Sequence, residues 1–304
     1  MTVNLVTSSP KDLAKVGHWF GSLSLTMGCN EEYIENQVNL KTVLKNKQQT
    51  GPYTVQRPLY PEAANKEVCH LIVLHPPGGL VEGDTLQLDV ECLSGSHTVI
   101  TMPSAGKVYQ CEKDNASQTQ SFKVHPRAKL EWFPQEMILY NKSRSILKSE
   151  INLHDDAQFC GWEMVCLGRE IAGDYFSEGR VMQNIELRRN KKPLLIERLL
   201  VDQLASGETE SIRSQNWGLA KQSVSGTFLM TGVNNEQFER AREFVNNQNN
   251  SALNVGITLL DDVLVCRALS NQSRHLKSIF TAVWLLLREE VLGVAAHEPR
   301  IWST

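Results

Sequence analysis

His75-Pro76-Pro77-Gly78-Gly79-Leu80-Val81-Glu82-Gly83-Asp84 is the most constrained stretch of this 304-residue chain. Two prolines fix φ and remove two N–H donors, while Gly78, Gly79 and Gly83 permit left-handed turns or close approach. The stretch follows a continuous apolar run, Leu71 to Leu74, and precedes an alternating one with Leu86, Leu88, Val90 and Cys92. It therefore reads as a strand–loop–strand unit that gathers His75, Glu82 and Asp84 at one end of a sheet. The same residues also make a plain structural turn, and spacing alone leaves both readings open.

Period-2 alternation continues on both sides of this unit. It runs through Leu23 and Leu25, Val38 and Leu40, Leu130 and Trp132, Val181 to Leu187, and Leu194 to Val201. Leu253 to Leu260 and Val263 to Leu269 flank Asp261-Asp262, a two-residue hairpin signal. Two segments follow the helical period instead. Asn235 to Asn247 carries Phe238, Ala241 and Val245 on one face, behind Asn234 as its cap. His275 to Val291 places Leu276, Ile279, Phe280, Val283, Trp284 and Leu287 on one stripe, and Gly293 ends it. Glu112 to Gln120 and Asn246 to Ser251 read as polar loops. The expected fold is mainly β, with strands wound into packed antiparallel or mixed sheets, chiefly antiparallel, and two α-helices in the C-terminal third. No composition shift or fixed repeat divides residues 1–304, so a single domain is expected, with residues 1–15 as a flexible start.

A formal net charge of -3, with scattered basic residues, gives no electrostatic case for nucleic acid or an anionic membrane. Residues 1–15 lack a basic stretch followed by an apolar one, so no secretory signal is read there. The apolar run Ile279 to Leu287 is too short to span a bilayer. Seven cysteines without a Cys-x-x-Cys pair suit free thiols in a reducing cytosol. Phosphate-cradling, serine-hydrolase and zinc-protease motifs are all missing.

Three carboxylates stand beside residues that would hold them rigid: Glu62 after Tyr60-Pro61, Asp84 after Gly83, and Glu197 inside a strand run. Glu197 should point to the face opposite Ile196 and Arg198, where it needs a partner or water. An arginine ion pair would satisfy it equally well. His70, His75 and Asp84 suggest a second class of function, a metal-dependent β-sandwich enzyme with a facial ligand set. Five residues of extended chain put the two histidines on opposite sides, which weighs against that set.

Several blocks in order carry a more specific message. They are Gly51-Pro52-Tyr53 with Val55-Gln56-Arg57-Pro58-Leu59-Tyr60-Pro61-Glu62, Cys69-His70, His75-Pro76-Pro77-Gly78-Gly79 through Asp84, and Thr101-Met102-Pro103. Glu131-Trp132-Phe133-Pro134-Gln135-Glu136, Gly161-Trp162, Gly168-Arg169, Glu197-Arg198 and Pro299-Arg300-Ile301-Trp302 follow. From about residue 50 to 304 the chain resembles the urease accessory protein D family, called H in some systems. The resemblance implies a non-enzymatic cytoplasmic scaffold for inserting nickel into urease. Its implied partners are the F-type accessory protein, the nickel-carrying GTPase G recruited through F, and apo-urease, with room for a dimeric arrangement within the complex. It also implies a helical winding of strands and an internal passage for transient Ni²⁺, with no tightly bound cofactor. Glu62, Asp84 and Glu197 are the positions it carries over to that passage, with His75 ordering the entrance. Carboxylate and water hold Ni²⁺ loosely enough to release it. One departure is visible: Asp174 stands after Gly173 where the family usually has glutamate.

Overall fold

A strand with one apolar face must bury it against a second layer, and this chain repeats that demand coil after coil. The computed structural model describes residues 18–34, 37–203, 212–248 and 252–303. The expected flexible start at 1–15 lies outside the described residues, as does the end of the loop expected at 246–251. In chain order the strands are β1 (Phe20–Ile34), β2 (Gln37–Thr50), β3 (Thr54–Val55), β4 (Cys69–Leu74), β5 (Thr85–Cys92), β6 (His97–Thr101), β7 (Gly106–Val108), β8 (Ala116–Val124) and β9 (Lys129–Phe133). They continue as β10 (Met137–Leu139), β11 (Arg144–Leu153), β12 (Gln158–Arg169), β13 (Asp174–Tyr175), β14 (Gly179–Arg189), β15 (Lys192–Gln203) and β16 (Val224–Thr231). Helix α1 (Asn235–Asn246), hairpin strands β17 (Leu253–Leu260) and β18 (Val263–Ser270), and helix α2 (Ser273–Leu292) follow.

The first sheet has the order β15-β14-β11-β8-β5-β1-β2. The second runs β17-β18-β16-β12-β9-β6-β4-β3, with β7, β10 and β13 attached. The chain visits the sheets in turn, so each coil lays its strand beside the one before. The fold is a mainly β coil with two late helices, as expected. Pairing direction differs from the expectation: β1, β5, β8, β11 and β14 are mutually parallel. Antiparallel pairs border them, at β1–β2 and β14–β15, and join β12, β16, β18 and β17. Alternation reports which face is buried, not which way the neighbour runs.

The loop from His75 to Asp84 crosses between sheets, from β4 to β5. Gly83 has φ +80°, and a Cβ there would sit 2.5 Å from the His18 ring, so both conformation and space require glycine. One core lies between the sheets, with Leu23, Leu88, Phe122, Trp132 and Val265 in it. A second, with Phe133, Trp162, Phe228, Phe280 and Trp284, fills the space between the second sheet and the helices. Covered on both faces, β6 is buried at every position, whereas β5 and β11 alternate. The polar loop expected from Glu112 to Gln120 is half strand, since β8 begins at Ala116. Both helices and the Asp261-Asp262 hairpin stand where expected. Asn234 and Gln237 form a reciprocal capping box on α1. Gly293, φ 69°, closes α2.

Helix α2 is fixed to the second sheet by a buried ion cluster. Arg288, fully inaccessible, reaches Glu62 at 2.7 and 3.0 Å and Glu131 of β9 at 2.8 Å. Trp284 Nε1 donates to Glu131 at 2.6 Å. His97 lies 2.7 Å from Glu131, and His70 lies 2.7 Å from Glu62. Burial raises the pKa of both carboxyl groups, but Arg288 and the histidines outweigh it and hold Glu62 and Glu131 down at about 2. Removing the guanidinium would leave two carboxylates in the core. Arg288→Met should therefore cost about 3–5 kcal/mol, read as a lower urea midpoint, and a loss within ~0.5 kcal/mol would show that the cluster does not hold the helix. Because both groups titrate lower folded than unfolded, their contribution is complete above 4.5 and is lost as pH falls toward about 2. Urea midpoints measured across that window should drop for the native chain and much less for Arg288→Met; parallel curves would contradict the assignment.

Candidate functional site

Register assembles the site. Across the first sheet, Leu25, Val90, Phe122, Ile151, Leu187 and Leu195 form one inward row that is wholly apolar. The next row reads Leu23, Leu88, Gln120, Ser149, Ile185 and Glu197, and the one beyond reads Gly21, Leu86, Gln118, Leu147, Gln183 and Leu199. Polar side chains thus enter the inter-sheet space at β8, β11, β14 and β15. Opposite them, Glu163 of β12 pairs with Thr227 of β16, which pairs with Arg267 of β18.

The two rows meet. Ser149 Oγ touches Glu163 Oε1 and lies 3.3 Å from Gln120 Oε1, while Gln183 Nε2 donates to Glu163 Oε2 at 3.1 Å. Glu197 Oε1 accepts from Thr227 Oγ1 at 2.8 Å. Glu163 is part-buried, and desolvation raises its pKa despite hydrogen bonds from Ser149 and Gln183. Among the described residues no lysine or arginine forms an ion pair with it, in contrast to Glu62, Glu131 and Glu197. The Ser149 hydroxyl has a single hydrogen, and acceptor oxygens of both Glu163 and Gln120 face it.

A cavity of about 50 Å³ adjoins this stripe, its lining running from His75, Leu80 and Leu86 to Gln118, Gln120 and Glu163. That is room for roughly three or four waters. Beyond Glu163 a void of about 10 Å³ touches both Glu163 and Thr227, between Trp132, Phe159, Trp162 and Ile185. It holds roughly one water at most.

The sequence-selected carboxylates occupy three different environments. Asp84 is a loop staple at the His75 end: its oxygens accept from Trp19 N at 3.1 Å and Val81 N at 3.0 Å. Beside it, burial pushes His75 below its usual pKa, against the opposing charge of Asp84. Gly78 takes φ +79° in the turn between Pro77 and Gly79, Gly78 N donates to His75 O, and Pro76 and Pro77 are exposed. Glu197 sits at the far edge, on the stripe, paired with Arg267. Glu62 lies on the other side of the second sheet, against α2, with Arg288 and Asn65 on its oxygens. Glu163 and its polar companions were not singled out from sequence. Asp174 has one carboxylate oxygen buried without a partner.

His70, His75 and Asp84 do not converge. His70 turns toward Glu62, His75 packs edge-on against Tyr53, and Asp84 is taken up by backbone amides. Among the described residues no three metal-binding side chains form a group that could hold an ion. The facial ligand set of a β-sandwich metalloenzyme is not formed. Nor is any helix among them long and apolar enough to cross a membrane.

Comparison with known proteins matches this sequence to a family. A family model described as UreD urease accessory protein matches residues 22–303. The urease accessory protein UreD of Alcanivorax borkumensis is 39% identical over 265 residues, 87% of each chain. That of Enterobacter sp. is 38% identical over 264 residues, 87% of this chain and 90% of the relative. That of Klebsiella aerogenes is 36% identical over 269 residues, 88% of this chain and 94% of the relative. Near-complete coverage in both directions, at this identity, makes the chain a member of the UreD urease accessory protein family.

Proposed function

We propose that this accessory protein is a non-catalytic scaffold that joins apo-urease to the F-type accessory protein and, through it, to the nickel-carrying GTPase. We further propose that Ni²⁺ crosses it along the stripe between the sheets. The supporting observation is Glu163, a part-buried carboxyl on a polar path with no cationic partner among the described residues. A buried acid left without a counter-ion is costly in its charged form. An arriving cation relieves that cost, so the position favours an ion that comes and goes.

The donor types suit a conduit. Carboxylate, amide and hydroxyl oxygens bind Ni²⁺ weakly, whereas thiolate and imidazole sets would retain it. Asp84 shapes the loop at the wide, His75 end, and Glu197 stands at the other. Glu62 frames the route from behind, by fixing α2 on the second sheet. The void beyond Glu163 is smaller than a hydrated ion, so the cation sheds water there and takes protein oxygens in exchange. Ni²⁺ is cargo in this scheme. The work takes place in the cytoplasm, without nucleic acid or membrane as partners, and the scaffold forms a dimeric arrangement within the complex.

Co-expression with urease and the F and G proteins tests the scheme. Glu163→Gln, nearly isosteric, should lower urease activation about tenfold or more, the cost of one lost charged contact, while F, G and urease still co-purify. Full activation by Glu163→Gln would exclude the stripe as the route. Glu62→Ala should instead lower the yield of folded protein, and an unchanged thermal midpoint would contradict its framing role.

A further inference from the structure

Arg267 stands where the stripe meets the edge of the sandwich. Its Nε lies 3.1 Å from Glu197 Oε1 and 3.2 Å from Oε2, and its second nitrogen, Nη2, reaches Oε2 at 2.9 Å. Together with the Thr227 hydroxyl, the guanidinium takes up both carboxylate oxygens. This pairing differs from the clamp at Arg288. The Arg267 side chain is 48% accessible and that of Glu197 is 22%, whereas Arg288 has no accessible surface. An ion pair this open is weak, and its cationic member has solvent behind it to move into.

A divalent cation and a guanidinium cannot share one carboxylate without strong like-charge repulsion. We propose that Arg267 is a displaceable competitor for Glu197: it yields the carboxylate to an arriving divalent cation and, on returning, drives that cation off. The proposal rests on the passage reading and deepens it, since it assigns the residue that keeps the last station weak. A station must fill and also empty. The Glu197 carboxylate and Thr227 hydroxyl hold a cation weakly, and what they lack is a group that speeds its departure. A positive group tethered one strand away, at the register position adjoining Thr227, does so.

The test is a calorimetric titration of the purified full chain with Ni²⁺ alone. Arg267→Gln should bind Ni²⁺ about tenfold more tightly than the native chain. Arg267→Lys keeps the charge and should stay close to native. The double variant Arg267→Gln with Glu197→Gln should lose the gain. Circular dichroism and thermal midpoints confirm that each variant is folded. If the pair were merely structural, Arg267→Gln would lower the midpoint and leave the titration unchanged, which would overturn the proposal; so would a gain that survives in the double variant. Glu163→Gln judges the passage through activation and the titration judges Arg267, so either can fail without the other.

Discussion

Arg288 bears a full charge at zero exposure, and it remains there because Glu62 and Glu131 meet it from a loop and from a strand that are distant in sequence. A lone ion in that position would be expelled or neutralised. The cluster therefore makes the placement of α2 a specific one: only one seating of the helix brings Arg288 to both carboxylates and Trp284 Nε1 to Glu131. With α2 seated, the outer face of the second sheet is covered, and strands such as β6 and β12 are largely buried on both sides. The inner face carries a second set of polar groups away from bulk solvent, and there Ser149, Gln183 and Thr227 take the place of the inaccessible arginine.

Charge balance then separates the acids by role. Glu62 and Glu131 are locked by an inaccessible arginine, which holds both well below the usual carboxylate range. Glu197 is held by a half-exposed one, and Glu163 by hydrogen bonds alone. Along the stripe the attachment of the carboxylates is loose, while behind the sheet it is tight. A static clamp and a cation route need these opposite arrangements, and the two faces of one sheet provide them.

The fold was legible wherever one face is apolar. Leu86, Leu88, Val90 and Cys92 announce β5, and Leu276 to Leu287 announce α2, because water alone decides which side they hide. Strand β8 was not legible. Ala116 to Gln120 reads as loop because Gln118 and Gln120 point inward yet are as polar as Ser117 and Thr119 on the outside. The stripe itself erased the alternation. Glu163 was obscured for the converse reason: it lies among Trp162, Met164 and Val165 on a strand buried on both faces, where no period singles out one residue. A lone acid inside an apolar strand was the available signal, the same one that drew attention to Glu197. The direction of strand pairing was beyond reach, since parallel and antiparallel neighbours bury the same side chains.

Register also links the route to the stability of the coil. A slip of one residue in any rung would turn Gln120, Ser149 or Glu197 to the outer face and bring charged neighbours such as Glu150 or Arg198 inward. The wholly apolar row through Leu25, Phe122 and Leu187 opposes such a slip at every rung, because it would expose that row at the same time. The polar members of the other two rows gain less from burial, and they owe their alignment to the apolar residues of their own rows and of the row beside them. A void near 10 Å³ between Glu163 and Thr227 can persist only if those rungs stay in step, since a shift of a few ångströms in one strand would close it. The geometry of the stripe is thus set largely by the apolar row beside it.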